Sequence, residues 1–289
     1  VTIDETLRQA TAEAARGIVT FPSDLHGFPG VAHGGAVAAV FHRLTLPRPP
    51  VELHVELLRS VPTVTPLGLR TGSTGATAQL ALLQGERPVA EAALRREGIS
   101  PPDVSSLRDR WAGDHDAQDE VPGTATCLAC GATNPLGLGI RFLVNDRFLW
   151  REYAPPATYR SRDGAHPALA LVLLDELGWW LGALAQQECG VTTDVRIRLY
   201  EALPSGPLLV VGDRGAVRSD DDPRGRYCRT EGLLLGSDGT LLASAEVRFA
   251  GSRAYTRRLV EPFLATTPLE RLARWFPTAR DLLGRKSDR

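Results

Sequence analysis

The stretch Gly30-Val31-Ala32-His33-Gly34-Gly35 runs into an apolar segment, Ala36 to Phe41, that closes on His42-Arg43. A second stretch, Gly164-Ala165-His166-Pro167-Ala168, runs into Leu169 to Leu174 and closes on Asp175-Glu176. The spacing from each histidine to the end of its run is the same, 33 to 42 and 166 to 175. The first copy keeps its glycines and lacks an acid. The second keeps an acid and lacks the glycines. Facing one another, the surviving parts make one site.

Working outward, the two halves match in further segments. Val55-Glu56-Leu57-Leu58-Arg59-Ser60-Val61-Pro62 aligns with Ile197-Arg198-Leu199-Tyr200-Glu201-Ala202-Leu203-Pro204. Both alternate in part and end at proline, as a strand entering a turn does. Gly85 to Ala92 aligns with Ser237 to Ala245, and each places turn residues before a strand, the mark of a hairpin. Arg95 and Arg248 then hold like positions. The segments Ala32 to Leu44 and Ala165 to Ala185 are apolar nearly all round, so as helices they are buried on most sides. Strands flank both, which places each helix inside a curved antiparallel sheet.

Residues 99–126 divide the halves. They contain Pro101-Pro102 and the polar run Asp114 to Glu120, a composition suited to an exposed linker with a short helix at Leu107 to Trp111. The expected organisation is an N-terminal unit over 1–98, that linker, a C-terminal unit over 127–252 and a helical tail over 253–289. A helix is expected from Asp4 to Ala15 with Asp4 as its cap, and another over Pro268 to Phe276. Lys286 to Arg289 reads as frayed.

Composition narrows the partners. A net charge of −1 gives no global attraction to nucleic acid or to a membrane surface. Charges among Val1 to Gly17 break any secretory signal core, and the apolar run Leu169 to Leu174 is too short to span a bilayer. Four cysteines, two of them close together, do not make a disulfide framework, so a reducing cytoplasm is expected.

On these residues the chain resembles the hotdog-fold acyl-CoA thioesterases, in a fused double-hotdog form. The motifs are Gly30-Val31-Ala32-His33-Gly34-Gly35, Leu173-Leu174-Asp175-Glu176, and Cys127-Leu128-Ala129-Cys130-Gly131-Ala132-Thr133-Asn134-Pro135-Leu136-Gly137-Leu138-Gly139-Ile140-Arg141-Phe142, and the likeness covers roughly residues 18–98 and 127–252. It implies an α+β fold of two antiparallel sheets, each wrapping a long central helix and related by a pseudo-twofold axis. It implies hydrolysis of an acyl-CoA or acyl-carrier-protein thioester, with no metal or redox cofactor. A backbone N–H at Gly34 would hold the developing oxyanion. Asp175 would act as nucleophile or as base toward water, and Thr192 or Thr193 would support it. Gly35, His33, His26 and Trp179 are the further binding candidates. Pro167 has no N–H, so the opposite pairing, His42 with the Pro167 turn, would be dead.

Alternatives stand beside this reading. Glu176 is the other candidate acid. Trp179-Trp180 are core residues or the walls of a short acyl pocket. Cys127 and Cys130 read as a structural turn, since zinc takes four ligands and no nearby histidine supplies them. Arg214, Arg218, Arg224 and Arg226 suit a CoA phosphate, or, with Asp220-Asp221-Asp222 interleaved, a solvated loop. A non-catalytic acyl-thioester binding or scaffold protein is a rival function, and a hotdog dehydratase or hydratase is another, with His26 or His42 near Asp175. Free sheet edges leave room for a homodimer.

Overall fold

The computed structural model describes residues 1–281; Lys286 to Arg289 lie outside them. The first half contains helix α1 (Ile3–Ala10), strand β1 (Ile18–Thr20), helix α2 (Gly34–Thr45) and strands β2 (Val51–Leu57), β3 (Pro66–Thr74), β4 (Thr77–Gln84) and β5 (Arg87–Arg95). Helix α3 (Ser105–Ala112) and the short strands β6 (Asp119–Glu120) and β7 (Leu143–Val144) follow. The second half has β8 (Phe148–Tyr153), β9 (Arg160–Ser161), β10 (Gly164–Ala165), helix α4 (Ala168–Gln186), β11 (Gly190–Leu199), β12 (Leu208–Asp213), β13 (Arg218–Ser219), β14 (Tyr227–Gly236) and β15 (Leu241–Gly251). Helices α5 (Arg253–Leu259) and α6 (Leu269–Trp275) close the described chain.

The longer strands of the two halves follow the same order in the sheet. In the first half the sheet order is β2-β5-β4-β3-β1, and in the second it is β11-β15-β14-β12-β8. Taken in chain order, both run second, fifth, fourth, third, first strand. The long helix stands between the first and second strands each time. The two sheets expected from sequence are in fact one. Strands β2 and β11 pair antiparallel across the middle, with Val55 opposite Val195, Leu53 opposite Ile197 and Val51 opposite Leu199, all buried. On the outer face of that seam, the buried carboxylate of Glu52 is bridged by Arg198 at 2.7 Å and Arg95 at 3.0 Å. No local pattern announced this pairing, because each strand alone reads only as half-buried.

Helix α4 is apolar round its whole circumference and is buried from Ala168 through Ala183 against β14, β15, β11 and β12. With 19 residues and a mean hydropathy of 1.6 it is long and apolar enough to cross a bilayer, contrary to the shorter run expected, yet 89% of it is buried inside the fold. Its neighbour α2 is buried from Gly35 to His42.

Other expectations shift locally. Thr2, not Asp4, caps α1: its hydroxyl accepts the Glu5 N–H, and Glu5 accepts the Thr2 N–H, a reciprocal capping box. The polar run read as linker contributes a strand, since Asp119 and Glu120 in β6 find cations. Asp119 meets Arg271 at 3.1 Å and Arg274 at 3.0 Å, and Glu120 meets Arg151 at 3.2 Å.

Candidate active site between the two long helices

The two surviving half-motifs meet. His33 has extended backbone (φ −64°, ψ 139°), and its Nδ1 accepts the Gly35 N–H at 3.1 Å, which starts α2. His166 does the same for α4 by accepting the Ala168 N–H at 3.1 Å. In both copies the histidine thus accepts the N–H two residues on, although it is the N-cap only of α2 and Pro167 holds that place in α4. Helix α4 then projects Asp175 onto the N-terminus of α2. Asp175 Oδ2 accepts the Gly35 N–H at 2.7 Å, and Oδ1 accepts the Thr192 hydroxyl at 2.8 Å. The positive end of α2 favours the anion there. A Cβ on Gly34 would come within 2.6 Å of Asp175 Oδ2, so the carboxylate can reach this place only beside a glycine.

Two more groups complete the cluster. His33 Nδ1 is 3.2 Å from Asp175 Oδ2, and its Nε2 is 3.1 Å from Glu176 Oε2. Glu176 Oε1 accepts the Trp180 Nε1–H at 3.2 Å. Both acids are buried in an apolar helix, where an unpaired charge is costly; the hydrogen bonds offset that cost. Burial nevertheless dominates at Asp175 and raises its pKa, against the lowering pull of His33, Thr192 and the Gly35 N–H. For His33, burial works against the charged form, but the Glu176 hydrogen bond and the two carboxylates outweigh it, and the pKa is raised.

A cavity of about 360 Å³ opens on this cluster. Gly34, His33, Asp175, Thr192, Thr193 and Trp179 line it. Gly34 N–H, at the first position of α2, has no acceptor among the described residues. Thr193 faces the cavity but gives its hydroxyl to the Arg248 carbonyl at 3.1 Å rather than to Asp175. Gly35 is not a lining residue; its role is the N–H bound to Asp175. His26 also stands off the lining, with Nδ1 2.6 Å from the Ser23 carbonyl and Nε2 2.9 Å from Thr126 Oγ1.

Several cavity residues were not anticipated. Phe28, Tyr227, Tyr255, Phe263, Thr124 and Cys127 all face it, as do the exposed Arg59 and Arg258. The loop arginines proposed for a phosphate are not among the lining residues, and acids hold two of them: Arg218 meets Glu231 at 3.0 Å and Arg226 meets Asp222 at 3.6 Å. Trp179 anchors one wall. Its Nε1–H donates to the Gly190 carbonyl at 2.9 Å, and its ring stacks on Phe263 with centroids 6.2 Å apart and tilts against Phe28 at 6.3 Å. Phe263 arrives from the turn between α5 and α6, a contact that no local motif signals.

The counterpart of Asp175 in the first copy is His42. It is buried, its Nε2 has no partner, and burial, reinforced by His166, holds its pKa down at about 4. A free histidine titrates near 6.5, so the unfolded chain binds a proton that the folded chain refuses. Stability from this group is complete above about pH 6.5 and falls as the pH drops toward 4, by roughly 3 kcal/mol in all. His42→Leu is expected to flatten this acid-side loss. Urea unfolding of both proteins at near-neutral and mildly acidic pH checks it; an identical loss in the two would overturn the assignment.

No protein-family model matches the chain. No curated protein matches it either. Solved structures do. A provisionally named thioesterase II from Thermobifida fusca YX superposes with a TM-score of 0.53 at 16% identity, covering 81% of this chain and 91% of that one. The tesB protein of Mycobacterium avium subs paratuberculosis gives 0.50 at 12% identity, over 81% and 92%. The dehydratase domain of PpsC from Mycobacterium tuberculosis, solved with C12:1-CoA, gives 0.52 at 18% identity, over 77% and 85%. Thioesterases and dehydratases alike stand among these neighbours, and at such identities what they share with this chain is the architecture: its fold is the hotdog fold.

Proposed function

We propose that the chain is two fused hotdog units, near 1–98 and 127–252, that hydrolyse an acyl thioester at one composite site. The observation that carries this is Asp175 of α4, held on the N-terminal turn of α2 by Gly35 N–H and fixed from its other oxygen by Thr192. The thioester carbonyl lies at the free Gly34 N–H. Asp175 takes a proton from water as the water oxygen bonds to the carbonyl carbon. The oxyanion that forms is stabilised by Gly34 N–H and the α2 dipole without reorganisation. Its collapse breaks the C–S bond, and the thiolate leaves with the proton from Asp175. A raised pKa suits an acid that must both take and return a proton. The second copy cannot mirror this, because Pro167 offers no N–H and His42 is buried without a partner.

Arg59 and Arg258, exposed on the lining and without an ion pair among the described residues, suit the phosphates of CoA or of a carrier-protein arm. The aromatic wall of Phe28, Trp179 and Phe263 limits the acyl chain to short or aromatic groups. Thiol release from a panel of acyl-CoAs tests the activity, and no release from any of them would overturn it. Within that panel, Phe263→Ala is expected to raise kcat/KM for medium-chain relative to short-chain esters by about tenfold, the scale of a few methylenes gaining a pocket. An unchanged chain-length profile would remove Phe263 from the acyl wall.

One observation favours a second reading. His33 and Asp175, from different halves, are 3.2 Å apart, an acid–base pair able to hydrate an enoyl thioester. Both ring nitrogens of His33 are engaged by the protein, which makes it a weaker candidate than Asp175. Loss of alkene absorbance without thiol release would select this reading.

A further inference from the structure

We propose that His33, Cys127 and Glu176 form a binding site for a zinc-class divalent metal ion in the cavity wall. Three different donors converge there: an imidazole nitrogen, a thiol sulfur and a carboxylate oxygen, all within 4.8 Å of one another. They come from three separate segments, the start of α2, the turn of the Cys127-to-Cys130 motif, and the middle of α4. The backbone holds that turn in place, since Leu128 N–H donates to the His26 carbonyl at 2.8 Å. The histidine missing near the cysteines in sequence is supplied by the other half of the fold.

Each donor has an outer partner of the kind that orients metal ligands. Coordination through Nε2 takes the His33 tautomer with its hydrogen on Nδ1, which then donates to Asp175 Oδ2, 3.2 Å away, instead of accepting the Gly35 N–H; Gly35 keeps its bond to Asp175, and a carboxylate–histidine–metal arrangement results. Glu176 ligates through Oε2 while Oε1 accepts the Trp180 N–H. Cys127 Sγ accepts the Ala129 N–H at 3.3 Å, while its Cys130 contact and burial hold the thiol protonated, so an arriving metal must displace that proton. All three are buried, and all three line the cavity, so a fourth position faces open space. Three protein ligands with one open position is a zinc geometry, and the sulfur and nitrogen donors select against magnesium and calcium, which take oxygen. Binding replaces the His33–Glu176 hydrogen bond with two metal bonds, and releases the Cys127 thiol proton and any proton on His33 Nε2. The site stands on these donors alone; it is compatible with the hydrolytic reading, in which His33 takes no proton, and it would occupy the histidine that the hydration reading needs.

Cobalt(II) reads the site directly, since a cobalt–thiolate bond adds a charge-transfer band in the near ultraviolet. Titration of the metal-free protein with Co²⁺ is expected to give that band at one equivalent and to lose it when Zn²⁺ is added. Cys127→Ala is expected to abolish the band and Cys228→Ala, at a cysteine that does not line this cavity, to keep it. Glu176→Gln, of nearly equal shape, is expected to weaken Co²⁺ binding at least about tenfold, with circular dichroism confirming that each variant is folded. No band in the wild type, or a band that survives in Cys127→Ala, would overturn the site. Thiol release is measured separately, so loss of this proposal and loss of the hydrolytic reading are distinct results.

Discussion

Asp175→Asn is expected to lower the rate of thiol release by about a thousandfold or more while leaving the protein folded. The substitution is nearly isosteric, and the amide can reuse both existing contacts. Its oxygen accepts the Gly35 N–H, and its NH2 donates to Thr192 Oγ1, whose hydroxyl rotates to accept. What is lost is the ability to take a proton from water, an effect of about 10²–10⁴ for a positioned general base. The stability effect runs the other way. Burial raises the pKa of Asp175, so the fold disfavours the charge it carries there. A neutral amide avoids that penalty, and the variant should melt at the wild-type temperature or above it. Loss of activity with unchanged or higher stability marks a group kept for chemistry rather than for packing. Steady-state thiol release and thermal unfolding of the two proteins decide the matter; equal rates would remove Asp175 from the mechanism.

The parts of this site that were legible in the sequence are the local ones. The histidine-to-acid spacing is a fixed distance along one helix, so 33 to 42 and 166 to 175 could be compared directly. The hairpins at Gly85-Glu86 and Ser237 to Thr240 carry their own turn residues, and they fold as hairpins between β4 and β5 and between β14 and β15. What could not be read depends on pairing between distant segments. Thr192 and Thr193 are equivalent in composition, and both line the cavity, because the strand does not alternate regularly there. A register shift against β15 between Thr192 and Asp194 then decides which hydroxyl reaches Asp175. The nearness of His33 and Glu176 to the Cys127 turn likewise depends on contacts between distant segments. Phe263 is an ordinary tail residue until the C-terminal turn lays it on Trp179. The junction of β2 with β11 escaped for a related reason. It joins two strands whose outer faces carry charge, and cross-strand pairs satisfy that face: Glu52 with Arg198 and Arg95, and His54 with Asp194.

Gly34 and Gly35 are adjacent, yet alanine at the two positions is expected to fail in different ways. At Gly35 a Cβ would lie 2.5 Å from the Leu171 carbonyl oxygen and 2.6 Å from Val172 Cα. Those atoms are backbone of α4 and cannot swing aside, so the two helices must separate or shift. Overpacking of this kind costs about 1–3 kcal/mol, and displacement also weakens the charge-assisted bond from Gly35 N–H to Asp175, worth about 1.5–3 kcal/mol. A combined loss of roughly 3–5 kcal/mol is a large share of the stability of an ordinary domain. At Gly34 the added Cβ would meet the Asp175 carboxylate instead, 2.6 Å from Oδ2 and 3.0 Å from Oδ1. That is the end of a side chain, which can turn away if its bond to Thr192 is given up. Alanine is also the better helix former, by about 1 kcal/mol in a helix interior and less at a first turn. Gly34→Ala should therefore unfold within a few degrees of the wild type but lose about a hundredfold in thiol release, because the acid no longer sits beside the oxyanion donor. Gly35→Ala should lose stability and activity together. Urea unfolding beside thiol release separates the two. A fully active Gly34→Ala protein would mean that the carboxylate need not hold its place on the α2 turn, and the composite site would fall with it.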